Sequence, residues 1–291
     1  MEVKFNKEGD AAFYTHSSGV HVPFETVVDT DQGYDLTRLE RSRNRATHFW
    51  NLGRARFVLR AVRDQISDRT ASDLKVIDIG GGTGGWLKYL IRNLPGDFTE
   101  LALADSSLSA LEFSSGVLGA QVNRYQVDVL RMPWKNRWDL VFLLDVIEHV
   151  KDDVQALRGV EEALRPNGLL FVTVPALQCF WSGEDVTAHH LRRYAKPEFD
   201  TLAQQSGLEL LKASYFMFFL SPLYWLGRGT WPDPATMTPE QIRKQKARIH
   251  QVPPTPINQL LRLIFSLETP LGLRVPFPWG TSLLGVFKKC A

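Results

Sequence analysis

The sequence predicts an α/β fold, a mostly parallel sheet with helices on both faces, and three observations carry that prediction. From Leu74 onward, short β-branched runs alternate with helical stretches. The runs are almost continuously apolar, as strands buried on both faces must be. A glycine-rich turn follows the first run, where such sheets form a ligand crevice. Size agrees: 291 residues, 44% hydrophobic and 23% charged, suit one α/β core with an insertion or cap.

The elements follow in order. The first 45 or so residues are polar and read as a loose arm to about Tyr34. From Asp35 to Ile66, Leu36, Leu39, Phe49, Trp50, Leu52, Phe57, Val58 and Val62 recur at spacings near three and four, a helical pattern. Five strands are expected at 74–79 (LKVIDI), 101–105 (LALAD), 122–128 (VNRYQVD), 139–145 (DLVFLLD) and 169–175 (LLFVTVP). Helices are expected between them, Trp86 to Leu94, Ser107 to Phe113 and Asp153 to Leu164. Pro197 suits the first turn of a further helix to Gln205, which Gly207 ends. LELLKASYF then reads as a sixth strand and SLLGVFKK as a seventh.

About 60 residues rich in Pro and Trp separate the last two strands, too many for a plain loop in a compact domain. They read as a cap over the active-site end of the sheet. PEQIRKQKARIH (239–250) is its basic helix, with Arg243 to Arg248 on a solvated face, and QVPPTP (251–256) is its hinge. The expected division is 1–70 for an N-terminal arm with lid helices, 71–217 plus 281–291 for the core, and 218–280 for the cap.

Composition excludes several classes. With 34 basic against 32 acidic residues the net charge is +2, so no nucleic-acid partner is expected. Cys179 and Cys290 match neither a disulfide framework nor a zinc site, and a cytoplasmic location is expected. MEVKFNKEGDAAFY lacks a signal-peptide pattern. The most apolar run, Tyr215 to Leu226, has 12 residues where a bilayer takes about 20, and Pro222 interrupts it. It does not span; core burial or weak membrane-surface contact stays open.

The strongest motif is VIDIGGGTGG, 76 to 85, a strand, a glycine turn and a helix start. Glycines 80, 82 and 84 permit positive φ and remove side chains that would block a ligand. Asp78 precedes the first of these by two residues, and no P-loop lysine follows. Asp105 closes the second strand, where a carboxylate can accept both ribose hydroxyls of an adenosine. Asp128 and Asp145 end the third and fourth. A nicotinamide-binding oxidoreductase shares much of this pattern.

DIGGGTG, LADSS, VDVL, WDLVFLLDVIEHV and LRPNGLLFVTVP, in that order, resemble the motifs of class I S-adenosylmethionine-dependent methyltransferases over about residues 74 to 175. HHLRRY (189–194), GTSLLGVFKK and His48-Phe49-Trp50 resemble a branch related to the quinone-biosynthesis O-methyltransferases. Gly81 departs from the cysteine common at its place. The resemblance implies a Rossmann-like seven-stranded sheet with an antiparallel last strand, and S-adenosyl-L-methionine over the strand ends. Gly80, Gly82 and Gly84 would line its methionine and ribose side. Asp105 with Ser106 would hold the ribose, Asp128 with Val129 the adenine, and Leu144 with Asp145 the sulfonium side. Asp78 either touches the cofactor or braces the turn. The implied acceptor is a small molecule, aromatic or lipid-like, methylated on O, N or C; a protein or RNA methyltransferase is the competing reading.

Methyl transfer from a sulfonium needs alignment first, and a base only if the nucleophile must lose a proton. His149 beside the fourth strand is one candidate base. In some quinone O-methyltransferases this stretch implies a metal set, here Asp145, Glu148 and His149; bracing is the preferred reading, and no metal is expected. His190 and Tyr194 are further catalytic candidates, with Arg193 binding a substrate carboxylate or phosphate. The competing reading of that cluster is an ion-pair network through Glu184 or Asp185. Trp50 and Trp181, with Trp225 and Trp231, are candidate walls of an aromatic pocket, against ordinary core.

Overall fold

A computed structural model describes residues 13–24, 27, 47–66, 73–94, 96, 98–228, 234–238, 240–242, 244 and 251–291. Tyr34, Asp35, Leu36, Leu39, Trp231 and most of the 239–250 stretch lie outside the described residues. In that stretch, Lys244 pairs with Glu240, both exposed.

Nine strands form one sheet among the described residues. They are β1 (Phe13–Thr15), β2 (His21–Pro23), β3 (Lys75–Ile79), β4 (Glu100–Asp105), β5 (Asn123–Gln126), β6 (Trp138–Leu144), β7 (Leu164–Pro175), β8 (Leu208–Phe216) and β9 (Ser282–Lys289). Their order is β1-β2-β5-β4-β3-β6-β7-β9-β8. Strands β3 to β7 pair in parallel, and β9 runs antiparallel between β7 and β8. The chain steps outward from β3 through β4 to β5, then returns to lay β6 on the other side of β3. That reversal opens a crevice at the carboxyl ends of β3 and β6.

The helices are α1 (Phe49–Gln65), α2 (Gly85–Asn93), α3 (Leu108–Leu118), α4 (Asp153–Ala163), α5 (Gly183–Ala188), α6 (Lys196–Ser206), α7 (Ser221–Gly227) and α8 (Thr255–Gly272). Side chains of a strand alternate between faces, and the core divides accordingly. Val76, Leu103, Leu140, Phe142 and Phe171 meet α1, α2, α3 and Phe265 of α8. Ile77, Ala102, Val141, Leu143 and Val172 meet α4 and α6 on the other face.

The seven expected strands all form, but the sheet is wider than expected. The stretch read as a loose arm supplies a hairpin, β1 antiparallel to β2, and β2 joins β5 at His21 and Tyr125. Phe13 is buried against Tyr125, ring centroids 5.3 Å apart, which fixes the hairpin to the core. Three-residue strands are too short to show a period of two, so the sequence gives no sign of them. Helix α3 runs five residues past Phe113, to Leu118, and Gly119 at φ 76° ends it; the hydroxyls of Ser114 and Ser115 bond back to the carbonyls of Leu111 and Glu112 within the helix. Strand β7 begins at Leu164, earlier than expected, with Asn167 at φ 63° in its opening turn.

The segment expected as a cap meets helix α1. Helix α8 lies along α1, with Asn258 accepting from the Phe49 amide and donating to the Thr47 carbonyl at its start. Phe265 crosses at Gly53, where a Cβ would stand 1.9 Å from the ring. Of the expected hinge, Pro254 caps α8 and Pro256 sits in its first turn. Among the described residues no helix is long and apolar enough to cross a membrane.

Candidate active site

The glycine turn is built by backbone conformations that side chains resist. Gly80, Gly82 and Gly84 have φ of 71°, 57° and 79°. A Cβ at Gly80 would lie 2.6 Å from Val146, and one at Gly84 2.3 Å from Leu118. The turn is fastened to the end of β4: the Gly80 amide donates to the Ala104 carbonyl at 2.8 Å, and the Gly82 amide to Asp105 Oδ2 at 2.8 Å. Asp105 Oδ1 takes the Ser107 amide at 2.9 Å. One carboxylate therefore holds both the turn and the start of α3. Ser106 is half-buried, and its carbonyl accepts from Nε2 of the Gln126 side chain. After β5, half-buried Asp128 accepts the Leu130 amide at 2.9 Å, beside half-buried Val129. Leu144 is buried at the end of β6.

Three carboxyl groups gather around one guanidinium. Asp78 is buried, and neither of its oxygens has a hydrogen-bond partner among the described residues. Burial pushes it up to about 8; Arg54 opposes the shift, and Asp105 adds to it. Glu148 is fully buried with both oxygens in the same condition, and burial followed by the charge of Asp145 raises it well above the usual carboxylate range. Asp145, at φ 59°, pairs with Arg54 and accepts from the Thr173 hydroxyl at 3.0 Å. Arg54 itself stacks over Trp50 at 4.8 Å. Arg54 was not among the residues singled out from sequence. It stands one turn after Trp50, but Arg56, Arg60 and Arg63 share its helix and no local pattern distinguishes it from them.

A second cluster borders the first. Glu148, His149 and His190 each bring one ligand-type atom within 4.8 Å of the others. Asp145, expected beside Glu148 and His149, is instead taken by Arg54 and Thr173, and His190 stands in that company. Partial burial and then the neighbouring His190 push His149 down to about 4, so it is neutral near pH 7. His190 Nδ1 meets Asp185 Oδ1 at 2.9 Å, which leaves Nε2 as the ring's other nitrogen. Asp185 is buried, which alone would raise its pKa, but bonds from His190 and from Arg193 outweigh burial and lower it.

Arg193 and Tyr194 point into structure. Arg193 is buried, grips Asp185 through Nε at 2.8 Å and Nη2 at 3.0 Å, and donates to the Ala176 carbonyl. The buried Tyr194 hydroxyl donates to Asp153 at 2.8 Å, and burial raises its pKa. Neither group presents its polar end to the strand-end crevice, contrary to the expectations of substrate contact and catalysis; the competing network through Asp185 describes Arg193 as found. Trp50 and Trp181 are half-buried, and Trp225 is exposed.

The residues present fit an adenosyl-amino acid. The buried Asp78 carboxyl, whose Oδ2 lies 2.2 Å from where a Cβ on Gly81 of the turn would stand, lacks a hydrogen-bond partner among the described residues and can accept from an ammonium group.

A family model described as a methyltransferase domain matches residues 50–213. The ubiquinone biosynthesis O-methyltransferase of Ruegeria pomeroyi is 24% identical over 198 residues, 61% of this chain and 78% of that protein. The ubiquinone/menaquinone biosynthesis C-methyltransferase of Hahella chejuensis is 34% identical over 103 residues, 33% of this chain and 41% of that one. A non-reducing polyketide synthase of Penicillium roqueforti matches at 29% over 38% of this chain, which spans only 5% of that synthase. In fold, the Haloferax volcanii methyltransferase solved with its Trm112 activator superposes with a TM-score of 0.56 at 12% identity, covering 91% of this chain and 98% of that one. Phosphoethanolamine N-methyltransferase 2 of Haemonchus contortus, solved with S-adenosyl-L-methionine, gives 0.50 at 15%, covering 80% and 52%. With the motifs in order, the Rossmann-like sheet and the glycine cradle in place, the chain belongs to the methyltransferase-domain family and is a class I S-adenosylmethionine-dependent methyltransferase.

Proposed function

We propose that this methyltransferase acts on an oxygen of a small aromatic or lipid-like acceptor, with His190 as general base. The observation that carries the cofactor half is Asp78, a buried carboxyl with no partner at the foot of the glycine turn. The ammonium of the cofactor's methionine part would supply its missing counter-charge. Arg54 would meet the carboxylate of the same group, and Asp145, paired with Arg54, would stand on the sulfonium side. Asp105 with Ser106 would hold the ribose and Asp128 with Val129 the adenine, while Leu144 would pack beneath.

The acceptor half rests on His190. An oxygen nucleophile must lose its proton as the methyl carbon transfers, and a histidine oriented by a carboxylate suits that task. Asp185 fixes the ring's Nδ1 side and Arg193 fixes Asp185, so both are positioning residues, and Tyr194 braces the loop. Trp50 and Trp181 would wall the acceptor. The relatives named for ubiquinone biosynthesis support an acceptor of the quinol type.

Incubation with methyl-labelled cofactor and a panel of catechols and quinols, read by mass spectrometry, should give a singly methylated product. His190→Gln should lower kcat by about 10²- to 10⁴-fold while cofactor affinity holds; a fully active variant would remove His190 from the chemistry. A second reading, favoured by the 4.8 Å cluster, has Glu148, His149 and His190 hold a divalent cation that polarises the acceptor oxygen. Activity lost to chelation and restored by Mg²⁺ would identify it.

A further inference from the structure

We propose that the outward face of α8, together with α7, docks this protein onto an anionic bilayer surface. Helix α8 is apolar on two sides. Leu261, Ile264 and Phe265 pack inward against the core. Ile257, Leu260, Leu263, Leu267 and Leu271 recur at spacings of three and four on the other side, each 45% to 60% exposed. Leu223, Trp225 and Leu226 of α7 are exposed too; the Phe219 amide just before α7 donates to Glu268 of α8, and Trp279, whose indole donates to Ser221 of α7, is also exposed. Monomers rarely leave so continuous an apolar face in water.

Charge chooses the occupant. Residues 218–280 carry seven Lys and Arg against three Asp and Glu, a net +4 in a chain of net +2. From 255 to 280 the acid is Glu268, which is fully buried, while Arg262 and Arg274 remain beside the stripe. Arg56, Arg60 and Arg63 of α1 line a cleft closed by Thr269 and Pro270, in the turn that also carries Leu267 and Leu271. Leucines to enter the acyl boundary, tryptophans for the interface and arginines for phosphodiester headgroups are what an interfacial helix needs. A second copy on this face would oppose cation to cation. The segment lies on a membrane without crossing it, as no described helix is long and apolar enough to cross.

The inference is independent of the acceptor and of the base, and flotation with vesicles tests it without cofactor. The full chain should float with vesicles of equal parts phosphatidylcholine and phosphatidylglycerol, and far less with phosphatidylcholine alone or at high salt. Replacing Leu260, Leu263 and Leu267 together by serine should weaken partitioning by roughly tenfold or more, and so should Arg262→Glu with Arg274→Glu. Both variants should keep the wild-type thermal response to S-adenosylhomocysteine, which shows that they fold. Wild-type protein that ignores anionic vesicles would overturn the proposal, as would flotation that neither variant changes. So would a stripe variant that turns a dimer into a monomer while vesicles remain unbound, which would assign the face to a second copy.

Discussion

Asp78 and Asp185 are both buried aspartates, and their environments push them in opposite directions. Asp185 receives bonds from His190, Arg193 and the Ser182 amide, and its pKa falls. Asp78 receives none from the described residues and is pushed up to about 8. A satisfied carboxylate is structure; an unsatisfied one awaits a partner. In the free protein Asp78 holds its proton at neutral pH, whereas the unfolded chain loses it near 3.8. The folded state therefore binds more protons across that window, and stability from this group declines as pH rises from about 4 to about 8. Asp78→Asn should flatten that decline in thermal unfolding followed against pH. Binding of the cofactor's ammonium should release about one proton near neutral pH, seen as a calorimetric heat that changes with the buffer's ionisation enthalpy. The variant should bind weakly and release none; a buffer-independent wild-type heat would mean that Asp78 stays protonated beneath the ligand. At this scale the glycines and strand-end acids were legible, because positive φ and strand periodicity are local. Arg54 was not, since Arg54, Arg56, Arg60 and Arg63 share one helix and nothing local says which faces Asp145.

Among the elements, α1 decides the most. It carries Trp50 and Arg54 to the site and receives α8 along its length. Gly53 in its middle costs helix stability, about 1 kcal/mol relative to alanine. It is retained where Phe265 crosses, with the ring 1.9 Å from any Cβ. Gly53→Ala should therefore destabilise the protein by about 1–3 kcal/mol despite the gain in helix propensity, lowering Tm by several degrees. A higher Tm would show that the crossing yields freely. Residues 53 and 265 are more than two hundred positions apart, and a sequence pattern holds no record of which helix a glycine admits. The parallel strands announced themselves, being apolar on both faces; the β1–β2 hairpin did not, because its hold on the sheet is Phe13 against Tyr125.

Across the whole molecule, the reversal of strand order at β3 and β6 brings residues from four regions of the chain to one crevice. The glycine turn follows β3, Asp105 ends β4, Asp145 and Glu148 follow β6, and Arg54 arrives from α1. The cluster of Asp185, His190 and Arg193 borders it through Glu148. The fold class and the meeting of the glycine turn with Asp105 were readable from the motif order, whereas Arg54's place and the split between chemical and bracing roles in HHLRRY needed the side-chain partners of each residue. A crystal structure grown with S-adenosylhomocysteine tests the convergence most directly. It should place the ribose hydroxyls about 3 Å from Asp105 and the ligand's amino group at a similar distance from Asp78. A ligand bound away from the glycine turn, with Asp78 still unpartnered, would contradict it.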